Sequence, residues 1–173
     1  HALGIAPLRV SEVLELLSGS IGGLDPISLR RLRGALRLAE VRSAQTDDRQ
    51  PVSADVLVLE LFEFPGEQPA LDMRGARRLH RLGKLAASAT SVHHAGGTPR
   101  EVLWQIWQGS GLAEGLQSLA LDVRGVRADE AHRALDAVVG LFFELQRHEE
   151  QDSERPIEAV LEDLLLSTVP TDS

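Results

Sequence analysis

The side chains with the strongest chemical case are cations in two runs, Arg30, Arg31, Arg33 and Arg37 in the first and Arg74, Arg77, Arg78, Arg81 and Lys84 in the second. Within each run most members recur every three or four residues, the interval at which side chains share one face of an α-helix. A row of cations on a rigid helix face suits a phosphate backbone, which offers repeated negative charge rather than one unique geometry. Arginine adds a planar fork that holds two phosphate oxygens at once. A solvated helix exterior produces the same pattern, and Glu40, Asp72 and the acidic C-terminal stretch are available to neutralise it. Charge and spacing therefore name a DNA-contacting surface without deciding it.

Other constellations lack a partner that their chemistry needs. A phosphate-cradling loop needs glycines between a strand and a helix, and Gly22-Gly23 has neither flank. Gly96-Gly97 before Thr98 reads as a turn into a helix rather than an anion site. No nucleotide site is assigned to this chain. The six histidines are His1, His80, His93, His94, His132 and His148, and none forms a metal-binding pair on one helix face. His93 and His94 are expected in a loop. Glu149-Glu150 and Glu162-Asp163 read as solvated acids, since nothing places them in an apolar pocket that would shift a pKa. Gly109-Ser110-Gly111-Leu112 lacks the strained nucleophile turn. Trp104 and Trp107 could stack bases, yet beside Leu103 and Ile106 they are expected in the core. No catalytic, cofactor or metal residue follows.

Composition limits the class of molecule. The 173 residues carry 18 Lys and Arg against 26 Asp and Glu, a net charge of -8, and 43% of them are hydrophobic. That is enough apolar material for a folded core. With no cysteine, a disulfide framework and a thiolate zinc site are excluded. No apolar run is long enough to span a bilayer and no leader pattern opens the chain, so a cytoplasmic protein without a membrane partner is expected. The charge is unevenly spread. Residues 1–128 hold 15 basic and 14 acidic side chains, whereas 129–173 hold three basic and 12 acidic. The chain opens at His1 and its sole methionine is Met73, which reads as a piece of a longer protein.

The elements that must carry these residues are helices. Val10, Val13, Leu14 and Leu17 recur at helical spacing behind Ser11, a suitable N-cap. Asp25-Pro26 starts a second helix running to about Val41, with Leu29, Leu32, Leu36 and Ala39 inward and the first cation run on the adjoining face. Ser43–Gln50 is polar and turn-like. Ser53 can cap a helix through Val56, Leu57, Leu59, Leu61 and Phe62, although this nearly continuous apolar run also permits a strand. A longer helix is expected from about Ala70 to Ser88, with Leu71, Leu79, Leu82, Leu85 and Ala86 inward and the second cation run outward.

Thr98-Pro99-Arg100-Glu101 is a capping box with proline at the first helical position. Its helix carries Val102, Leu103, Ile106 and Trp107 on the buried side. Leu112, Leu116, Leu119 and Ala120 suggest a short helix, and 128–148 the longest, with Leu135, Val138, Val139, Phe142 and Leu145 as its stripe. Pro156 to Leu166 makes a last amphipathic helix. Trp104, Trp107, Phe142 and Phe143 are expected to fill the core. The sum is an all-α, compact multi-helix domain of about seven or eight helices spanning 1–168, followed by a truncated linker at 169–173.

Whole segments also look familiar. Leu16-Leu17-Ser18, Gly22-Gly23-Leu24-Asp25-Pro26, Leu29-Arg30-Arg31-Leu32-Arg33 and Leu36-Arg37 resemble the opening of the accessory 2B subdomain of actinobacterial UvrD/Rep-like superfamily 1 DNA helicases, AdnAB-type helicase–nucleases among them. Val102-Leu103-Trp104 with Trp107, Ser110-Gly111-Leu112-Ala113, Ala128-Asp129, Leu135-Asp136-Ala137-Val138-Val139 and Leu141-Phe142 are similar to that subdomain's middle and its long helix. Pro170-Thr171-Asp172-Ser173 resembles the exit towards the second motor domain. The match is weakest over 43–97, so nothing is carried onto the second cation run from it.

The resemblance implies a helical insertion subdomain that swivels, contacts duplex or tailed DNA and regulates unwinding for repair or recombination. It implies a parent protein whose motor domains, absent here, bind ATP and Mg and hydrolyse the ATP. Partners would be DNA, those motor domains and a sister helicase subunit. The alternative from a different class is a helical protein-interaction module that docks a basic partner or sister subunit through its acidic C-terminal part.

Overall fold

The structure, a computed structural model, describes residues 9–66, 71–122, 125–151 and 159. Most of them lie in seven helices: α1 (Val10–Ser18), α2 (Pro26–Thr46), α3 (Ala54–Glu63), α4 (Arg74–His94), α5 (Pro99–Ser110), α6 (Leu112–Asp122) and α7 (Val126–Gln151). There is no strand among the described residues. The all-α expectation holds, and the apolar run over 56–62 is helix rather than strand. The expected helix over 156–166 lies outside the described residues except for Ala159. The chain divides into two compact units, His1–Ala87 and Ser88–Ser173.

The first unit has a dense core. Val13 and Leu17 of α1, Leu24 of the connector, Leu32 and Leu36 of α2, Val58 and Phe62 of α3, and Ala76, Leu79 and Leu82 of α4 form one buried cluster. Burying a leucine-sized side chain contributes about 1.5–3 kcal/mol, so this cluster holds the four elements together. Two glycines permit the close packing of α4. A methyl group on Gly83 would stand 2.6 Å from the Phe62 carbonyl oxygen, and one on Gly75 would stand 3.0 Å from the Leu32 side chain.

Several helix ends differ from the sequence expectation, each for a local reason. The α1 cap is Arg9, whose N–H donates to the Glu12 carboxylate at 2.8 Å, and Ser11 lies inside the first turn. Asp25 caps α2 as expected, accepting from the Ser28 N–H at 2.8 Å and the Ser28 hydroxyl at 2.7 Å. These bonds, the hydroxyl's first, hold its carboxyl below the usual range. Helix α2 runs past Val41 to Thr46 because Ala44 continues the buried stripe. Ser53 caps α3. Helix α4 starts at Arg74 and extends through His93 and His94, so these two sit in its last turn and not in a loop.

The second unit is sparsely filled. Thr98 and Glu101 form the expected reciprocal box at the start of α5. Glu149 of α7 adds a second tie, accepting the Arg100 N–H at 3.0 Å and facing its Nε at 3.5 Å. No residue of α5 is buried, and α7 buries Ala128, Ala131 and Leu145. The aromatic core expected here is not formed: Trp104 is 50% and Phe143 67% exposed, and Trp107 and Phe142 are half-buried. Val139 is exposed as well. The residues that α7 does bury are two alanines and one leucine, Ala128, Ala131 and Leu145.

Two glycine substitutions should move stability in opposite directions. Gly83→Ala puts a methyl group against backbone and should cost about 1–3 kcal/mol. Gly34→Ala, in the middle of α2 with open space beyond its Cα, should add about 0.5–1 kcal/mol. Urea denaturation of both variants checks the pair.

Candidate nucleic-acid interface

Burial of Leu32 and Leu36 on one side of α2 leaves Arg30, Arg31, Arg33 and Arg37 exposed to solvent. Arg30, Arg33 and Arg37 share about 60° of arc and Arg31 lies about 100° away from Arg30, at 3.6 residues per turn. Arg31 is therefore not part of the same row. Arg33 is committed, its Nη2 lying 2.5 Å from Oδ1 of Asp55 at the start of α3. Arg30, Arg31 and Arg37 have no ion-pair partner among the described residues. Arg33 and Arg37 also border a hollow of about 420 Å³ with Val41 and residues 51–55.

On α4, burial of Leu79, Leu82 and Leu85 sets the opposite face outward. Arg74, Arg77, Arg81 and Lys84 occupy about 80° of arc over about 15 Å of helix, and all four are exposed. Arg77 pairs with Asp72. Arg78 departs from the expected row: it is half-buried, with its guanidinium beside Gly23. Six of the nine cations singled out, Arg30, Arg31, Arg37, Arg74, Arg81 and Lys84, are thus exposed and unpaired among the described residues. Exposed ion pairs such as Arg33–Asp55 contribute at most about 1 kcal/mol, so a phosphate can displace them.

The scaffold beneath the first row depends on a carboxylate whose role the sequence did not announce. Glu40 is only 8% exposed. It receives both terminal nitrogens of Arg49, at 2.5 and 3.1 Å, and the Val52 N–H at 2.9 Å. The pair ties the end of α2 to the connector that leads into α3. It does not neutralise the cation row, as the sequence had allowed. The Arg49 hydrogen bonds, with the Val52 N–H second, lower the Glu40 pKa from its ordinary 4.5 to about 2. The legible signal was register: position 40 falls in the stripe of Leu29, Leu32, Leu36 and Ala44, where a charge requires a partner.

The second unit places two further sequence candidates. Gly96 adopts φ 85° and the Gly97 N–H bonds the Val92 carbonyl at 2.9 Å, so this pair closes α4 and leads into α5. Trp104 meets Phe142 edge-on, with centroids 5.8 Å apart. These two rings line an open groove of about 670 Å³ with Val92, Gly96, Gly97 and Arg100. Among the described residues no cluster of three or more His, Asp or Glu could hold a metal ion, and no helix is long and apolar enough to cross a membrane. Comparison with known proteins returned no matching family model, no matching curated protein and no matching solved structure.

The Glu40 anchor makes a pH prediction. Because its pKa is lower in the folded chain than in the unfolded one, its contribution is complete above about 4.5 and is lost as pH falls towards 2. Urea midpoints of the native chain should fall through that window. Glu40→Gln should be less stable at neutral pH and should show a shallower decline over the same interval.

Proposed function

We propose that this chain is a non-catalytic, DNA-contacting helical subdomain of a UvrD/Rep-type ATP-dependent DNA helicase, acting in unwinding for repair or recombination. The observation that carries the reading is the set of six exposed, unpaired cations on α2 and α4, held outward by buried leucines of the same helices. The segment resemblance to the accessory 2B subdomain supplies the helicase context. In that setting ATP and Mg belong to the motor domains of the parent polypeptide. This subdomain contributes phosphate contacts that favour one orientation, and contacts to the motor domain favour another. The difference in contact free energy sets the populations.

A second reading, a docking module for a basic partner or sister subunit, has its own support. The Ser88–Ser173 unit carries 15 acidic and six basic side chains, whereas His1–Ala87 carries 11 and 12. A cytoplasmic setting accompanies both readings.

Fluorescence anisotropy with a duplex bearing a single-stranded tail separates them. The chain should bind saturably at low salt and weaken steeply as salt rises. Replacing Arg74, Arg81 and Lys84 together by glutamate should weaken binding and reduce the log–log salt slope by about 2 to 3, since each B-DNA phosphate contact contributes about 0.9. Helical circular dichroism should be unchanged. Undiminished binding by that variant would remove the α4 row from the account.

A further inference from the structure

The Ser88–Ser173 unit leaves an aromatic surface open. Trp104 and Phe142 stand nearly perpendicular, at 73°, in the wall of the groove. From Phe142 the apolar strip continues along α7 to Val139 and Phe143, both more than half exposed. At helical spacing, Asp136 precedes this strip and Glu150 follows it, and both are exposed. Arg100, the one cation lining the groove among the described residues, is tied to Glu149. The strip is therefore flanked by the carboxylates of Asp136 and Glu150, and the cation between Phe143 and Glu150, Arg147, is paired with Glu144, within a unit whose acidic side chains outnumber its basic ones 15 to six.

We propose that this groove and strip form a docking site for a basic amphipathic helix of a partner protein. The partner's apolar side chains lie on Trp104, Phe142 and Phe143, as amphipathic helices lie in apolar grooves elsewhere. Its Lys or Arg side chains reach Asp136 and Glu150 at the edges, and one of them can cover the Trp104 face as a cation–π contact. Charge selects the occupant. An unpaired nucleic-acid strand would also stack on such rings, but its phosphates would meet the surplus of carboxylates. The inference rests on the docking reading for the sign of the partner's charge and adds the site that reading lacks.

The test uses the full chain with Trp107→Phe, so that Trp104 is the only indole. The probe is a short peptide of leucine and lysine at helical spacing, beside the same peptide with glutamate for lysine and an oligothymidylate. The lysine peptide should shift Trp104 emission saturably, and the other two should not. Asp136→Asn with Glu150→Gln, exposed changes that leave packing intact, should weaken binding about tenfold, as should Phe142→Ala. Calorimetric binding of the lysine peptide that none of these variants alters would overturn the groove and leave the docking reading standing. No binding up to about millimolar peptide would overturn both. Emission changes with oligothymidylate in place of the peptide would overturn the proposal in favour of base stacking.

Discussion

Burying the leucines of α2 and α4 fixes the direction of every arginine that matters here. A helix has one azimuth for each residue, so once Leu32 and Leu36 are inside, Arg30 and Arg37 have no choice but to face water. The same holds for Leu79 and Leu82 against Arg74, Arg81 and Lys84. The outward cation rows are thus a by-product of core formation, with the backbone that carries them fixed by the buried leucines. That rigidity matters for an electrostatic contact, because cations already held in rows do not lose the freedom of a loop on binding. The glycines at 75 and 83 belong to the same constraint, since they let α4 approach Leu32 and the Phe62 carbonyl closely enough for the leucines to meet.

Glu40 shows how the constraint extends beyond apolar side chains. Its position in the buried stripe would be costly for an unpaired carboxylate. Arg49 and the Val52 N–H satisfy it, and in doing so set where the chain leaves α2 and enters α3. Asp55, one residue into α3 and opposite Arg33, is carried by that placement. The two units differ in this respect. The first closes a core of ten buried apolar residues, and the second leaves Trp104 and Phe143 at the surface. Contiguous exposed apolar patches mark interaction surfaces.

Much of this was legible in the sequence because helix periodicity is a strong signal. Leu29, Leu32 and Leu36 set the face of α2, and Asp25-Pro26, Ser53 and Thr98-Pro99-Arg100-Glu101 set helix starts through local hydrogen bonds that need no tertiary information. Errors arose where tertiary context decides. Ser11 has the right side chain for a cap, but the helix starts one residue earlier, at Val10, and Arg9 takes the role. Arg78 has the right spacing for the cation row, but it is half-buried with its guanidinium near Gly23. Trp104, Trp107, Phe142 and Phe143 have the right chemistry for a core, but burial depends on how many neighbours surround them, and α5 to α7 supply too few. Periodicity tells which residues share a face and not whether another element covers that face.

We propose that the outward cations of α2 and α4 hold DNA. Arginine side-chain Nε–Hε resonances, followed by NMR as a tailed duplex is titrated at low salt, test it most directly because they report each guanidinium by itself. Arg30, Arg37, Arg74 and Arg81 should shift with a common affinity while Arg49, locked to Glu40, stays in place. Shifts confined to arginines of the second unit such as Arg100 and Arg133, or none at saturating duplex, would contradict it.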